Sequence, residues 1–297
     1  MSFDEVMKAA QRLNVSVEAL AALGARLAAD VDGARLDPRV RGAVDGVVAS
    51  LGLDAGDLES LRAEERQALL GLIRSFFRQA GDLLDDPGRA PGWTYGDTTV
   101  LESQGRASMA IVPVLRTIAP QLDDLEARLS RPGASFLDVG TGCGWLAVAL
   151  ATAFPALRVV GIDVSEAALR LAERNIEPVR DRVELRAESV ADLADERAFD
   201  AIFLPGPFLP KAVVPQAAAR SLSALRPGGW VLFGVYAGAP DPLADQLSRL
   251  RVIRSGGHPW EPGDLMDLLR DAGFVEARAF DRAWQMPMTF VVGRRPE

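Results

Sequence analysis

The sequence has 297 residues, of which 48% are hydrophobic and 25% are charged, so it can bury a sizeable core in one or two domains. Its 33 Lys and Arg residues are outnumbered by 41 Asp and Glu residues, which gives a formal net charge of −8. An acidic chain argues against proteins that follow the phosphates of nucleic acid and against binding to anionic membranes. Small-molecule and peptide partners remain open.

The chain contains one Cys, Cys143, and one His, His258. An intramolecular disulfide and a structural zinc site built from Cys and His are therefore excluded. The N-terminus has no basic segment followed by a long apolar stretch, and the apolar run 145–154 is too short to cross a bilayer. We therefore expect a cytoplasmic protein that is neither secreted nor inserted in a membrane.

Residues 1–86 predict helices only. Apolar residues recur at helical spacing within 15–27, 40–51 and 69–77. The expected breaks are Asp37-Pro38, residues 52–56 and residues 86–88. No residue in this block has the chemistry of a catalytic site, so we expect a helical lid or a dimerisation domain, with a homodimer formed through these helices.

Residues 87–131 predict an aromatic turn followed by linking helices. The turn at 91–97 contains Trp93 and Tyr95. Helices are expected at 103–118 and 122–129, with Pro120 as the break between them.

From residue 132 to 297, strand and helix patterns alternate. Short β-branched or apolar runs at 135–139, 158–162, 183–186, 201–204 and 230–235 are separated by helical segments. The runs 274–280 and 288–292 predict a closing antiparallel pair. This pattern indicates an α/β fold with a doubly wound, mainly parallel sheet. In such sheets ligands bind at the carboxyl ends of the strands, where the winding direction reverses.

The loop after the first strand has an unusual sequence. Asp138 precedes Gly140-Thr141-Gly142-Cys143-Gly144, and a helix begins at Trp145. Glycines let a ligand approach the backbone, and a helix N-terminus offers free N–H groups. The dinucleotide fingerprint Gly-x-Gly-x-x-Gly is not matched, because position 145 is Trp. An acidic residue just before the loop also suits a pyrophosphate poorly, so a nicotinamide oxidoreductase is disfavoured.

An acidic residue followed by Gly-x-Gly-x-Gly resembles the class I, Rossmann-like S-adenosylmethionine-dependent methyltransferases, in particular bacterial enzymes that act on small molecules. Later segments resemble that family in order, at 159–163, 183–190, 199–205 and 225–232. The resemblance covers about residues 132–295. It implies a seven-stranded sheet with an antiparallel last strand and S-adenosyl-L-methionine as cofactor. The positions that it assigns to cofactor binding are Asp138, Gly140, Thr141, Gly142, Gly144, Asp163, Val164, Glu188, Ser189, Val190, Leu204 and Pro205.

The resemblance implies separate roles for three acidic residues. Asp163 matches the carboxylate that accepts both ribose hydroxyls, and a carboxylate has room for two donors. Asp138 suits the ammonium group, directly or through water. Glu188 stands where the family commonly has an Asp that contacts the adenine amino group. The alternative for Asp163 is an acid that caps the following helix.

The segment after the fourth strand, Leu204-Pro205-Gly206-Pro207-Phe208, departs from one branch of the family. Families that methylate planar amino groups carry an Asn/Asp-Pro-Pro-aromatic signature there. No trio of metal-binding Asp and Asn residues is recognisable either. We therefore expect a metal-independent transfer to oxygen of a small-molecule acceptor. The alternatives are methylation of a peptide or amino-acid-derived carboxylate, and a catalytically inert scaffold that binds the cofactor.

His258 is the candidate general base, because an imidazole titrates near neutral pH. The alternative is an exposed loop His. Candidate residues of the acceptor pocket are Trp93, Tyr95, Asp97, Gln104, Arg106, Phe208 and Trp260. Core packing is the alternative for the aromatic residues, and a solvated helix face is the alternative for the polar ones.

Overall fold

The computed structural model describes residues 1–236, 238, 241–284 and 286–297. The chain divides into two compact units, Met1–Pro87 with Asp97–Gln104, and Gly88–Gly96 with Gly105–Glu297. The three predicted segments 1–86, 87–131 and 132–297 stay a proposal for the domain organisation. No helix in the described ranges is both long and apolar enough to span a bilayer.

The first unit is built from helices whose starts are encoded locally. In order they are α1 (Phe3–Val31), α2 (Pro38–Ser50), α3 (Ala55–Ser60) and α4 (Ala63–Asp85). Ser2 and Glu5 form a reciprocal capping box at the start of α1. Residues 52–56 are predicted as a break, but α3 begins within them. Asp54 and Asp57 cap each other's backbone N–H groups, which is enough to start a short helix.

The helices of this unit enclose a small core around Leu27, Leu70 and Ile73. Beside it Arg26 is almost fully buried, with its guanidinium 2.5 Å from Asp30 and 3.2 Å from Asp45. Pairing of this kind is what makes a buried charge tolerable.

The first half of α1 leaves apolar side chains exposed at helical spacing. They are Phe3, Val6, Met7, Leu13 and Val17. An exposed apolar row of this kind is typical of a contact surface. The expected role as a lid or a dimer contact stays a prediction, whose test is the mass of the protein in solution.

From residue 98 onward helices and strands alternate. In chain order they are α5 (Thr98–Ser108), α6 (Ile111–Ile118), α7 (Leu125–Ser130), β1 (Ser135–Val139), α8 (Trp145–Ala153), β2 (Arg158–Asp163), α9 (Glu166–Asn175), β3 (Val183–Ala187), β4 (Phe199–Pro205), α10 (Val214–Ala224), β5 (Leu225–Tyr236), α11 (Pro242–Arg254), α12 (Pro262–Asp271), β6 (Val275–Ala279) and β7 (Met288–Arg294).

The strands form one seven-stranded sheet in the order β3-β2-β1-β4-β5-β7-β6. Strand β7 runs antiparallel to both neighbours, and the pairs from β3 to β5 are parallel. Both faces are covered: Phe136 and Trp230 belong to one buried cluster, and Leu137 and Phe233 belong to the other. This confirms the predicted α/β, doubly wound fold with an antiparallel last strand. The winding reverses between β1 and β4, so ligands are expected at the carboxyl ends of these strands.

Two elements differ from the prediction. The helix expected at 103–118 is interrupted at residues 109–110, between α5 and α6. Pro113 explains the interruption, because its ring would clash with the carbonyl of Met109 in a continuous helix. Helix α11 was not predicted from the sequence.

At the amino ends of β1 and β4, the Asp200 carboxylate is completely buried and ties three segments together. It lies 2.5 Å from Arg131 Nη2 and 2.5 Å from Arg226 Nη1. It also accepts a 2.9 Å hydrogen bond from the Ser135 backbone N–H. This cluster lies at the edge of the sheet opposite to the expected ligand site.

Candidate functional site

The loop between β1 and α8 depends on its glycines. Gly140, Gly142 and Gly144 have φ of 63°, 55° and 77°, a region that residues with a Cβ avoid. A Cβ at Gly140 would also lie 3.1 Å from Pro205 Cγ at the end of β4. The loop therefore turns sharply and lies close to the end of the neighbouring strand.

Hydrogen bonds tie this loop to the ends of two strands. The Thr141 N–H donates to the Ile162 carbonyl at 3.0 Å, and the Gly142 N–H donates to Asp163 Oδ2 at 2.8 Å. The Thr141 hydroxyl donates to Asp138 Oδ2 at 2.8 Å. The loop thereby joins the two carboxylates predicted for cofactor binding, one at the end of β1 and one at the end of β2.

Asp163 keeps acceptor capacity for a ligand. One oxygen accepts from the Ser165 N–H and the other from the Gly142 N–H, each at 2.8 Å. A carboxylate has about four lone-pair sites, so acceptor capacity remains for hydroxyl donors. Burial raises the pKa of Asp163, against the opposing effect of its backbone hydrogen bonds. Helix α9 is capped by the Ser165 side chain, so the helix needs no capping side chain from Asp163.

Asp138 is 2% exposed, and burial raises its pKa from a usual value of 3.8 to about 7. The Thr141 hydroxyl bond lowers this pKa, and the nearby Asp163 charge raises it further. A carboxylate held in this way gains from a cationic partner.

The remaining predicted cofactor positions differ in accessibility. Val164 is 77% exposed beside Asp163, which leaves an apolar surface open to a flat ligand. Backbone bonds place Glu188 close by, because its N–H donates to the Asp163 carbonyl at 3.1 Å. Ser189 uses its hydroxyl to accept from the Ala191 N–H. Val190 and Leu204 are buried in the core, so neither offers surface to a ligand.

These donors and acceptors fit the predicted cofactor. S-adenosylmethionine carries an ammonium, a carboxylate, a sulfonium and a ribose diol, and no phosphate. Asp138 suits the ammonium and Asp163 suits the diol. Gly144 caps α8 without a side-chain bond, so the N–H groups of the first turn suit the carboxylate.

Three of the predicted pocket aromatics form a cluster that includes Phe208, which follows the carboxyl end of β4. The Trp93 ring packs edge-on against Tyr95 at 5.0 Å and against Phe208 at 4.9 Å, measured between ring centroids. The turn that carries them is held by a 3.0 Å hydrogen bond from the Gly92 N–H to the Arg254 carbonyl. This aromatic group therefore lies against the segment that follows α11.

His258 and Trp260 form a second pair, with ring centroids 4.8 Å apart. They line a cavity of about 510 Å³, counted with its open mouth, beside the end of β5. Partial burial lowers the pKa of His258, Lys211 lowers it further, and Asp264 opposes both.

The three polar candidates have different contacts. Asp97 and Gln104 belong to the first unit. The Asp97 carboxylate accepts from the Thr99 and Val100 N–H groups and pairs with Arg78, which accounts for it as the start of α5. Arg106 stacks over the Trp145 ring, with its guanidinium carbon 4.0 Å from the centroid, beside the glycine loop.

The structure adds residues that sequence reasoning missed. A Cβ at Gly105 would lie 2.9 Å from Trp145 Cδ1, so this glycine permits the backbone at 105 to approach the loop closely. Tyr236, at the carboxyl end of β5, lines the same cavity as His258. Its position at a strand end was a readable signal. No sequence signal marked Lys211, because it comes close to His258 only in the folded chain.

Within the described part of the chain, no three or more His, Cys, Asp and Glu side chains are grouped so that they could hold a metal ion.

Comparisons with known proteins agree with this geometry. A family model described as "Methyltransferase domain" matches residues 136–229. The chain is 32% identical to nocamycin O-methyltransferase of Saccharothrix syringae over 202 residues, which is 56% of this chain and 68% of that protein. It is 38% identical over 92 residues to the release factor glutamine methyltransferase of Rhodopirellula baltica, which is 30% of this chain and 31% of that protein.

An O-methyltransferase family protein from Burkholderia thailandensis has a similar structure, with a TM-score of 0.67 and 16% identity. The match covers 100% of this chain and 98% of that chain, so the two proteins share a fold. The chain spans about a third to a half of the length of the first curated relatives that it matches.

Proposed function

The chain belongs to the class I S-adenosylmethionine-dependent methyltransferase family, and we propose that it transfers a methyl group to an oxygen of a small-molecule acceptor without a metal ion. One observation carries the proposal. The strand ends at the switch point hold two carboxylates and a glycine loop that suit the cofactor, and a cavity lined by His258 lies beside the end of β5. The match to an O-methyltransferase supports oxygen as the target.

When bound, S-adenosylmethionine supplies a methyl carbon that is activated by the adjacent sulfonium. The residues of the chain have to orient that carbon and remove a proton from the acceptor. Asp138, Asp163 and the N–H groups of α8 orient the two ends of the cofactor. His258 has a lowered pKa, so its imidazole is neutral at pH 7 and can accept the hydroxyl proton as the oxygen attacks. Alignment of the reacting atoms supplies much of the rate enhancement.

Cofactor affinity should rise with pH because of Asp138. In the ligand-free protein its pKa of about 7 leaves it largely protonated at pH 6. The cofactor's ammonium favours the charged form, so binding releases this proton. Affinity for S-adenosylhomocysteine should therefore increase by up to about tenfold per pH unit between pH 5.5 and 7. Calorimetry at pH 5.5, 6.5 and 7.5 measures this slope.

Asp138→Asn is the matched control, because the amide keeps the shape and cannot titrate. Its affinity should be independent of pH over the same range and close to that of the wild type at pH 5.5. If cofactor affinity depends on pH in Asp138→Asn as it does in the wild type, a group other than Asp138 titrates.

Asp138 also affects stability. The native state holds a proton that the unfolded chain releases near pH 4, so this group makes the free energy of unfolding fall as pH rises from 4 to 7.

The proposed reaction is tested by following labelled methyl groups from S-adenosylmethionine to a panel of hydroxyl-bearing and carboxylate-bearing small molecules. His258→Ala should lower kcat for hydroxyl acceptors by about 10²- to 10⁴-fold, while cofactor affinity stays unchanged. The rise of the wild-type rate with pH, as His258 loses its proton, should disappear in the variant. Asp181→Ala, which removes an exposed carboxylate 3.8 Å from Arg182 Nε, serves as a control.

Two outcomes would favour the alternatives. Full activity of His258→Ala on a carboxylate acceptor would support methylation of a peptide or amino-acid-derived carboxylate, which needs no base. Saturating cofactor binding with no transfer to any acceptor would support an inert scaffold.

A further inference from the structure

The cavity beside β5 is an open pocket at the carboxyl end of the sheet. It is lined by the end of β5, by α11 and by the turn at 258–262. The proposed acceptor site includes this cavity, so a role for the cavity in acceptor recognition rests on the proposed function.

The indole N–H of Trp260 is buried and has no hydrogen-bond partner among the described residues. Two other buried indole groups are satisfied. Trp230 Nε1 donates to the Asp123 carbonyl at 3.2 Å, and Trp284 Nε1 donates to the Met288 carbonyl at 2.7 Å. A buried donor without a partner costs free energy, and native proteins rarely leave one unless a ligand or water completes it. Trp260 also lines the cavity, so a buried donor without a partner belongs to a residue of the cavity wall.

The charges around this donor leave a positive charge near the Trp260 ring. Arg249 pairs with Asp245 at 3.0 Å and with Glu261 at 2.9 Å, which neutralises the carboxylates that line the cavity. Lys211 Nζ lies 5.7 Å from the Trp260 ring centroid.

The groups that face the rest of the cavity are His258 and Tyr236. Lys211 and Asp264 both act on His258, and Lys211 has the larger effect. Arg251 acts on Tyr236, whose hydroxyl keeps its proton because burial raises its pKa. The cavity thus presents hydrogen-bond donors to an oxygen atom, and the positive charge of Lys211 lies near the Trp260 ring that forms part of its wall.

We propose that Trp260 determines acceptor specificity by donating its indole N–H to a carbonyl-type oxygen of the acceptor. The acceptor class is then a small molecule that carries a ketone, amide or carboxylate oxygen a few atoms from the hydroxyl that receives the methyl group. The spacing follows from the two rings, because His258, the proposed base, lies 4.8 Å from Trp260 between centroids. One compact acceptor can therefore reach both groups.

The direct test observes the indole N–H by NMR in 15N-labelled protein saturated with S-adenosylhomocysteine. The chain has 5 Trp residues, and the Trp260 signal is identified by its loss in Trp260→Phe. The probes are 2-hydroxyacetophenone and salicylate, with phenol as the matched compound that lacks the carbonyl-type oxygen. We expect the Trp260 indole proton to shift downfield with both carbonyl-bearing probes and not with phenol. The Trp230 and Trp284 signals, already hydrogen-bonded, should stay in place.

Trp260→Phe keeps an aromatic ring and removes the N–H donor together with part of the indole ring. It should raise KM at least tenfold for carbonyl-bearing acceptors and change KM for phenol little. Lys211→Met distinguishes a carboxylate oxygen from a ketone oxygen. It should weaken binding of salicylate, which is charged, and leave binding of 2-hydroxyacetophenone, which is neutral, unaffected. Equal loss of affinity for both probes would show that Lys211 does not recognise charge.

An unmoved Trp260 signal with either probe, or an equal change of KM for all acceptors, would overturn the proposal. The outcome is separable from the proposed function. A shifted indole signal in a protein that methylates none of the panel contradicts the function and supports the recognition. Methyl transfer with an unmoved indole signal supports the function and contradicts the recognition.

Discussion

Replacing Asp163 by Ala should weaken binding of S-adenosylhomocysteine by at least about 100-fold. Two hydroxyl hydrogen bonds to a charged carboxylate are lost, each contributing about 1.5–3 kcal/mol. The variant also removes the acceptor that holds the Gly142 N–H at 2.8 Å, so the glycine loop loses one of its anchors. Isothermal titration calorimetry on the wild type and the variant measures the change in Kd.

Two controls sharpen this measurement. Asp163→Asn keeps the shape and an acceptor oxygen, so its affinity should lie between those of the wild type and Asp163→Ala. Asp181→Ala changes an exposed carboxylate, 3.8 Å from Arg182 Nε, and should leave Kd unchanged. An unchanged Kd in Asp163→Ala would mean that the carboxylate does not bind the ribose. NADH in place of S-adenosylhomocysteine should show no binding, and tight binding of NADH would contradict the proposed cofactor.

Replacing Asp200 by Ala should destabilise the protein by about 1–3 kcal/mol, because it removes the shared acceptor of a backbone N–H and of two partly exposed arginines. Arg131 and Arg226 would be left facing each other without their shared carboxylate, and the Ser135 N–H would lose its acceptor. Urea unfolding monitored by circular dichroism should report the loss as a lower midpoint.

Asp267→Ala serves as the surface control. Its carboxylate pairs with Arg270 at 2.7 Å, but it lies on an exposed face of α12. Such changes usually stay within about 0.5 kcal/mol. A loss of stability in Asp200→Ala as small as in the control would show that the cluster contributes specificity and not stability.

Much of the fold could be predicted because the signals were local. The β-branched runs and the glycine loop between them were recognisable from residue spacing and turn chemistry. The structure confirms the α/β sheet with its antiparallel last strand that they predicted. Helix α11 was missed because its sequence has no strongly amphipathic face and buries only Val252. The interruption at 109–110 depends on a single proline ring, which a periodicity pattern does not register.

The candidate site was likewise predictable only where the sequence signal was local. Asp138 and Asp163 could be predicted because each lies at the end of a strand beside a recognisable turn. The assignment of Asp97 and Gln104 to the acceptor pocket rests on their nearness to the aromatic turn in sequence; both belong to the first unit, and their role in the pocket stays a prediction. The influence of Lys211 on His258, across 47 positions of the chain, exists only once α11 and the turn at 258–262 are packed.

The glycine loop is ordered before the cofactor binds, and this affects which substitutions change cofactor affinity. Its backbone is already hydrogen-bonded to the ends of β1 and β2, so it needs no ordering when a ligand arrives. Ordering a residue costs about 1–2 kcal/mol of conformational entropy, and here that cost falls on the folding of the chain. Cofactor affinity therefore depends in part on the stability of the sheet, which keeps the loop ordered. A substitution at Gly161, where a Cβ would lie 2.7 Å from Thr141 Oγ1 in the loop, would therefore first become visible as weaker cofactor binding.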